Sequence, residues 1–141
     1  MAQFESDIND LIEALRKADL FDEESQSRLL QAGADHLMKH VKAEASKSKY
    51  NLRFVSSKLK KNKLKRDKNG EYYVTVTIKG KNDRGERLAT IAFVLNYGRQ
   101  KKYGGIEGNY FWTEAVKQAS DSVAQVYERE TEKIFKERGL T

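Results

Sequence analysis

Apolar side chains recur at helical spacing in the first third of the chain. Five of them share one stripe near the N-terminus: Phe4, Ile8, Leu11, Ile12 and Leu15. This spacing predicts an amphipathic helix. A second stripe predicts a longer helix that runs from an N-cap at Asp22 to about Lys47, and its acidic first turn suits the positive end of the helix dipole. The core positions of this second helix are Leu30, Ala34, Leu37, Val41 and Ala45. Since Gly33 inside a helix costs about 1 kcal/mol relative to Ala, we expect a close contact there.

The last third of the chain predicts another long helix. It begins near residues 111–113, and Gly139 is expected to end it as the C′ residue, after basic side chains in the closing turns. The predicted core stripe consists of Trp112, Val116, Ala119, Val123, Val126, Tyr127, Ile134 and Phe135.

The middle of the chain changes to a period of two, which predicts strands. Residues 72–79 alternate between apolar and polar positions, and Asn69-Gly70 just before them suits a type I′ turn. The strand that precedes this turn is the basic segment from about Leu59 to Lys65. Leu59 and Leu64 are an odd and an even position, so regular alternation would place these two apolar side chains on opposite faces of the strand. A bulge or poor order is therefore expected there.

Residues 87–96 are apolar at nearly every position, which predicts a third strand covered on both faces. A loop with four glycines then connects this strand to the last helix. The predicted order is α-α-β-β-β-α, an α+β fold in which an antiparallel sheet of three to four strands packs against two or three helices. We expect one domain over residues 1–141, with residues 1–21 as an N-terminal helix that could be peripheral and residues 22–141 as the α+β core.

Composition excludes several classes of site. The 141 residues include no cysteine and no proline, so disulfides, thiolate metal sites and cysteine nucleophiles are ruled out. No stretch has the roughly 20 apolar residues of a membrane span, and the first ten residues lack the pattern of a secretory signal. A hydrophobic fraction of 38% suffices for a core. The sequence therefore predicts a soluble intracellular protein that makes no membrane contact.

Charge is distributed unevenly along the chain. The formal net charge is +6, yet residues 1–35 carry nine acidic and three basic side chains, so that the remainder carries +12. Ten basic residues lie within 47–68, against the single acid Asp67. Such a block can attract phosphate backbones or an acidic protein surface. The simpler interpretation is a solvated loop or an edge strand guarded by lysines.

Signals for catalysis or for cofactors are weak. His36 and His40 have the i, i+4 spacing of metal ligands on a helix, but they are the only histidines and the zinc-protease pattern is absent. The glycines between residues 98 and 108 fit neither a P-loop nor a dinucleotide-binding spacing. We expect no enzyme, no cofactor and no metal site. A metal-dependent enzyme that uses the two histidines is the least favoured alternative.

Aromatic and basic residues cluster around the glycine-rich loop. This composition is typical of surfaces that stack single-stranded nucleic acid and of protein–protein hot spots. The simpler interpretation is that Phe111 and Trp112 only anchor the last helix on the sheet. The predicted partner-binding residues are Lys58, Lys60, Lys61, Lys63, Lys65, Arg66, Arg99, Lys101, Lys102, Tyr103 and Tyr110.

Several motifs together resemble one family. They are Ala32-Gly33-Ala34 in the second helix, the segment that contains Arg53, Tyr72-Tyr73-Val74 in a strand, Phe93-Val94-Leu95-Asn96-Tyr97-Gly98, and Tyr110-Phe111-Trp112-Thr113-Glu114-Ala115 at the start of the last helix. Over about residues 25–138 the chain resembles the small tail-component family of tailed bacteriophages and prophages, the head–tail joining or tail-completion proteins. One departure is that many members have a proline-containing segment before the aromatic pair, where this chain has Asn109-Tyr110.

The resemblance implies a non-catalytic structural protein at the head–tail junction or tail terminus. It also implies assembly into a ring, often six-fold, from subunits that could be monomeric in isolation. The implied partners are other phage neck or tail proteins, and contact with DNA is possible. The implied location is the virion, with the bacterial host cytoplasm during assembly. The alternative function is a basic nucleic-acid-binding module, although the acidic first 35 residues argue against a uniformly basic surface.

Overall fold

Two long antiparallel helices form the frame of the molecule. The structure, a computed structural model, describes residues 22–139, so the helix predicted for residues 4–15 lies outside the described residues. Helix α1 is Glu23–Lys47 and helix α4 is Phe111–Glu137, which confirms both long helices. The Asp22 carboxylate accepts a hydrogen bond from the Ser25 N–H at 2.8 Å, as expected of the N-cap. Gly139 has a φ of 70° just beyond the C-cap, as predicted.

Between these helices, a short helix leads into an interrupted hairpin. Helix α2 (Arg53–Lys58) is followed by β1 (Leu59–Lys61), which pairs antiparallel with β4 (Val76–Ile78). Closer to the tip, β2 (Lys65–Arg66) pairs with β3 (Tyr72–Tyr73). The hairpin packs along α1, where Lys61 Nζ lies 2.8 Å from Asp35 Oδ1.

The hairpin contains the predicted bulge. Between its two ladders, residues 62–64 face only residues 74–75, so the first strand has one extra residue. The Asn62 N–H donates to the Thr75 carbonyl at 2.8 Å, which places the extra residue at Lys63-Leu64 opposite Val74. A one-residue insertion reverses the side-chain alternation. The bulge therefore places Leu59 and Leu64 on the same side despite their opposite parity.

The tip of the hairpin differs from the prediction. A type I′ turn needs positive φ at both central residues, but Asn69 does not have positive φ. The turn instead closes with the Gly70 N–H donating to the Asp67 carbonyl at 3.0 Å, and Gly70 alone has a positive φ, of 81°. The Asp67 carboxylate also accepts from the N–H groups of Asn69 and Glu71. The hydrogen bonds to the Asp67 carboxylate therefore stabilise a turn other than the type I′ turn that Asn69-Gly70 predicted.

The predicted third strand is wrong. Residues 88–97 form helix α3 (Leu88–Tyr97), and its buried residues Leu88, Ala92 and Asn96 recur every four positions. A short run that is apolar on all sides fits a buried helix as well as a buried strand, and periodicity alone does not separate the two. Gly80 and residues 82–86 form the turn that leads into this helix.

After α3 the chain makes a second, smaller hairpin. Strand β5 (Gly98–Arg99) pairs with β6 (Ile106–Glu107), and a 3₁₀ turn at Lys101–Tyr103 connects them. The fold is α+β, as predicted, but within residues 22–139 the strands form three antiparallel pairs and not one sheet of three to four strands. The observed order is α1-α2-β1-β2-β3-β4-α3-β5-β6-α4.

Two apolar clusters stabilise this arrangement. The larger draws side chains from α1, from α2 and its N-cap Leu52, and from β1, β4, α3 and α4: Val41, Ala45, Leu52, Val55, Leu59, Ile78, Leu88, Ala92, Phe111 and Ala115. The smaller joins Leu29 of α1 to Ile134 of α4 near the other end of the helix pair. The predicted stripe of α4 is partly wrong, because Phe111 and Ala115 form the buried face while Val116 is 39% exposed.

Candidate functional site

Six of the predicted partner-binding cations lie on α2 and the large hairpin: Lys58, Lys60, Lys61, Lys63, Lys65 and Arg66. The structure divides them into two groups. Lys58, Lys60, Lys63 and Lys65 are exposed on α2 and the large hairpin. Lys61 instead forms the ion pair with Asp35 already described. The Arg66 guanidinium lies 4.6 Å from the centre of the Tyr72 ring, a cation–π contact within the hairpin. Four of the six predicted cations are therefore exposed side chains without an ion-pair or ring contact in the described structure.

A second predicted group lies on the small hairpin that follows α3. Arg99, Lys101, Lys102 and Tyr103 are all exposed, and Tyr103 is 63% exposed. Lys102 Nζ lies 5.0 Å from the centre of the Tyr103 ring. Glu107 attaches this hairpin to the segment that follows α1, because its carbonyl accepts a hydrogen bond from the Tyr50 hydroxyl at 2.5 Å.

Tyr110 belongs to a different surface from Tyr103. Its ring lies 6.4 Å from that of Tyr97, which in turn lies 4.7 Å from that of Phe93. Phe93 is 61% exposed, and both tyrosines are 53% exposed. We call these three side chains the aromatic row. Sequence reasoning missed Phe93, because a strand would have placed it on an apolar face and the helix presents it to solvent.

An apolar groove of about 280 Å³ lies beside the aromatic row. Strand β4, helix α3 and the start of α4 form its walls. Its lining residues are Val76, Thr77, Ile78, Ala89, Ala92, Phe93, Asn96, Tyr97 and Trp112. Phe93 and Tyr97 therefore belong to both the row and the groove, and together they make one continuous apolar surface. We call this combined feature the groove surface.

Buried Asn96 fixes the geometry of the groove surface. The N-cap of α4, Tyr110, makes no side-chain capping bond and has a left-handed backbone with φ 56°. Asn96 supplies the cap from α3: its Oδ1 accepts from the N–H groups of Trp112 and Thr113 at 2.9 and 3.1 Å. Its Nδ2 donates to the Thr113 hydroxyl at 2.9 Å. These bonds satisfy N–H groups that the helix start leaves without partners.

Two glycines permit this close approach. A Cβ on Gly98 would lie 2.6 Å from the Ile106 carbonyl oxygen and 2.7 Å from the Gly108 nitrogen, and Gly98 has a φ of 84°. A Cβ on Gly108 would lie 2.6 Å from the Asn96 carbonyl oxygen. The two chain segments cross backbone against backbone, so that the ends of α3 and α4 meet. This explains two of the four glycines in the loop that precedes the last helix.

The histidine pair bridges the two long helices. His36 Nε2 lies 2.6 Å from Ser122 Oγ, and His40 Nδ1 lies 3.2 Å from Gln118 Oε1. Burial lowers the pKa of His36, and the nearby positive charges of His40, Lys39 and Arg129 add to this effect. Within residues 22–139, no group of three or more His, Cys, Asp or Glu side chains is placed to hold a metal ion.

Comparison of the chain with protein-family models, with curated proteins and with solved structures gives no match in any of the three. The likeness to the phage tail-component family therefore stays a hypothesis based on sequence motifs. Among the described residues, no helix has both the length and the apolar character needed to cross a membrane.

Proposed function

We propose that this protein is a structural component of a tailed phage or prophage that acts at the head–tail junction or tail terminus. It would work by ring assembly and protein–protein contacts during virion morphogenesis and would carry no catalytic activity. The observation that carries the proposal is the groove surface, where three exposed aromatic rings border an apolar groove. Large exposed apolar patches and clustered aromatic side chains are characteristic of protein interfaces.

Two of the five motifs behind the family resemblance converge on this surface. Phe93 and Tyr97 belong to the motif at residues 93–98, while Tyr110 and Trp112 belong to the motif at residues 110–115. Asn96, from the motif at residues 93–98, connects the two motifs because it caps α4. A shared interface is a physical reason for these residues to occur together in one sequence.

The proposal specifies partners and a location. The partners are other phage neck or tail proteins and further copies of this chain, in a homo-oligomeric ring that is often six-fold in the family. The protein resides in the neck or tail of the virion, and in the bacterial host cytoplasm while assembly proceeds. The isolated chain could be a monomer that joins the ring only with its partners.

The test is light scattering of the purified protein, alone and with the tail-tube protein of the same phage or prophage. We expect a ring with one or both samples, and we expect Phe93→Ala with Tyr97→Ala to prevent it. Tyr73→Ala is the control, because Tyr73 is also an exposed tyrosine but lies outside the aromatic row and outside the predicted partner-binding residues. A wild-type chain that remains a monomer in both samples and never enters tails would contradict the proposal.

A nucleic-acid-binding module is the second candidate, favoured by the exposed side chains of Lys58, Lys60, Lys63 and Lys65. If these four contact phosphates, the logarithm of the binding constant should fall against the logarithm of salt with a slope of about −3.6. Lys60→Glu with Lys65→Glu should reduce this slope. The exposed Lys117 and Lys136 of α4, changed to Glu, serve as the charge-matched control. Absence of binding at low salt would remove this candidate.

A further inference from the structure

The groove surface lacks a cover within the described residues. Phe93 and Tyr97 are more than half exposed, although each lines an apolar groove whose other walls include Val76 and Trp112. Exposed apolar surface of this kind is unfavourable in water unless another segment packs against it. The chain itself contains one segment outside the described residues that has a matching pattern.

We infer that residues 1–21 of a neighbouring copy occupy the groove surface. This inference rests on the proposed ring and identifies the contact that builds it. The apolar stripe of the segment is the one predicted from the sequence, Phe4, Ile8, Leu11, Ile12 and Leu15. An amphipathic helix laid into an apolar groove is a common recognition mode, with anchors at this same spacing.

Charge supports this occupant. Residues 1–21 contain five acidic and two basic side chains, a net charge of −3. Helix α3 contributes no charged side chain to the groove surface. On the strand side, exposed Lys60 pairs with Thr77, which lines the groove, and exposed Lys79 follows Ile78. The acidic side of the segment would therefore face lysines, which favours its docking over that of a basic segment.

The position where the segment joins the structure favours a neighbouring copy. Asp22 lies beside Arg138, with 3.1 Å between Asp22 Oδ2 and Arg138 Nη2, whereas Trp112 lies at the opposite end of α4. At 1.5 Å per residue, these ends of α4 are about 39 Å apart. The chain from Leu15 to Asp22 covers at most about 25 Å, and a helix from Phe4 to Leu15 would add about 17 Å, so only the first residues of the segment could reach Trp112 of the same copy, and only with the connecting chain fully extended. The segment is attached at one end of each copy and the groove lies at the other end. Docking between copies therefore makes a head-to-tail contact, which is the type of contact that closes into rings.

Single substitutions in the full-length chain test each half of the contact. Leu11→Asp places a charge in the apolar stripe, and Ser6→Asp adds the same charge on the opposite side of the predicted helix as a control. Phe93→Asp alters the groove at a side chain that is 61% exposed, so folding should tolerate it. We expect Leu11→Asp and Phe93→Asp to weaken self-association by roughly 30-fold or more, and Ser6→Asp to leave it intact.

Mixing the two damaged proteins gives the decisive measurement. The Leu11→Asp chain keeps an intact groove and the Phe93→Asp chain keeps an intact segment, so an equal mixture should form a dimer that cannot grow. Light scattering measures its size. Trp112 is the only tryptophan in the chain and lines the groove. The tryptophan emission of the Leu11→Asp chain should therefore shift to shorter wavelength when the Phe93→Asp chain is added and its segment covers that groove.

Other outcomes overturn the inference in distinguishable ways. If Leu11→Asp exposes Trp112 at every concentration and mixing forms no dimer, the segment covers its own groove. If rings persist in both variants, the ring uses another surface, and the proposed function stands without this contact. If the wild-type chain never associates with itself or with tail proteins, both the inference and the proposed function fail.

Discussion

The two ends of the long helix pair are held together by different kinds of interaction. At the end with α3 and the small hairpin, ten buried apolar side chains form the larger core. At the far end, the small contact between Leu29 and Ile134 is supplemented by polar links, in which Arg28 binds Glu130 and Glu137, and Arg138 binds Asp22. Stability should therefore be concentrated at the end that forms the groove surface, and substitutions there should cost most.

The largest effect is expected at Asn96. Replacing it by Ala removes the cap from two N–H groups of α4 at a site that is 2% exposed, which should lower the free energy of unfolding by about 3 kcal/mol. Asn96→Asp keeps the accepting oxygen and adds a negative charge at a helix N-terminus, so it should retain more than half of that stability. Chemical denaturation measures both. Equal losses in the two variants would contradict the capping role.

The two ends of the helix pair should also differ in how far a substitution of glycine by alanine lowers stability. Gly98→Ala forces a Cβ against backbone atoms at positive φ, which should cost about 2 kcal/mol. At Gly33 of α1 the close neighbour is the Tyr127 hydroxyl, 2.8 Å from an added Cβ, and that ring can move. Gly33→Ala also gains helix propensity, so its net effect should stay within about 0.5 kcal/mol of zero. Thermal denaturation of the Gly98→Ala and Gly33→Ala variants provides the comparison. Similar losses of stability in the two variants would contradict the expected difference between the two ends.

At the far end, Arg28→Ala should have a smaller effect. Arg28 Nη2 lies 3.0 Å from Glu130 Oε1, with the side chains 30% and 17% exposed. Partly exposed ion pairs of this kind contribute about 0.5–1 kcal/mol. A double-mutant cycle with Glu130→Ala isolates this contribution by urea denaturation. A coupling energy near zero would show that the pair of Arg28 with Glu130 contributes nothing to the stability of the far end.

The smallest expected effect is a pH dependence that arises from His36. Burial lowers the pKa of His36 from its usual 6.5, so the unfolded chain takes up the proton first as the pH falls. Stability should therefore decrease as the pH drops through 6.5, until the folded protein is protonated as well. His36→Gln should flatten this decrease between pH 7 and pH 5, whereas His40→Gln should keep most of it. Denaturation midpoints at the two pH values provide the measurement.

The features predicted correctly from the sequence are those with local causes. Asp22 and Gly139 mark helix ends through bonds and dihedral angles of their immediate neighbours, and long stripes identify the two long helices. The bulge was also predictable, because the opposite parity of Leu59 and Leu64 is a property of one strand. The alternation of residues 72–79 likewise survives in the burial of Ile78 and the exposure of Tyr73.

The features that were missed depend on contacts between distant segments. Asn96 caps a helix that begins fifteen residues later along the chain, and nothing in the sequence around it indicates this role. The run from Leu88 to Tyr97 became a helix because its buried face is defined by the hairpin and α4, although its β-branched residues favoured a strand. Phe93 and the groove were missed for the same reason.

The antiparallel pairing of α1 with α4 has a consequence for the order of folding. The hydrogen bond between Asn62 and Thr75 in the large hairpin spans 13 residues, whereas the contact between Arg28 and Glu137 spans 109. Closing long loops is slower than closing short ones, so the hairpin should form early and the far end of the helix pair last. Contacts made after the rate-limiting step affect the unfolding rate alone. The links at Arg28 and Arg138 should therefore set how long the folded chain persists, and leave unchanged how fast it forms.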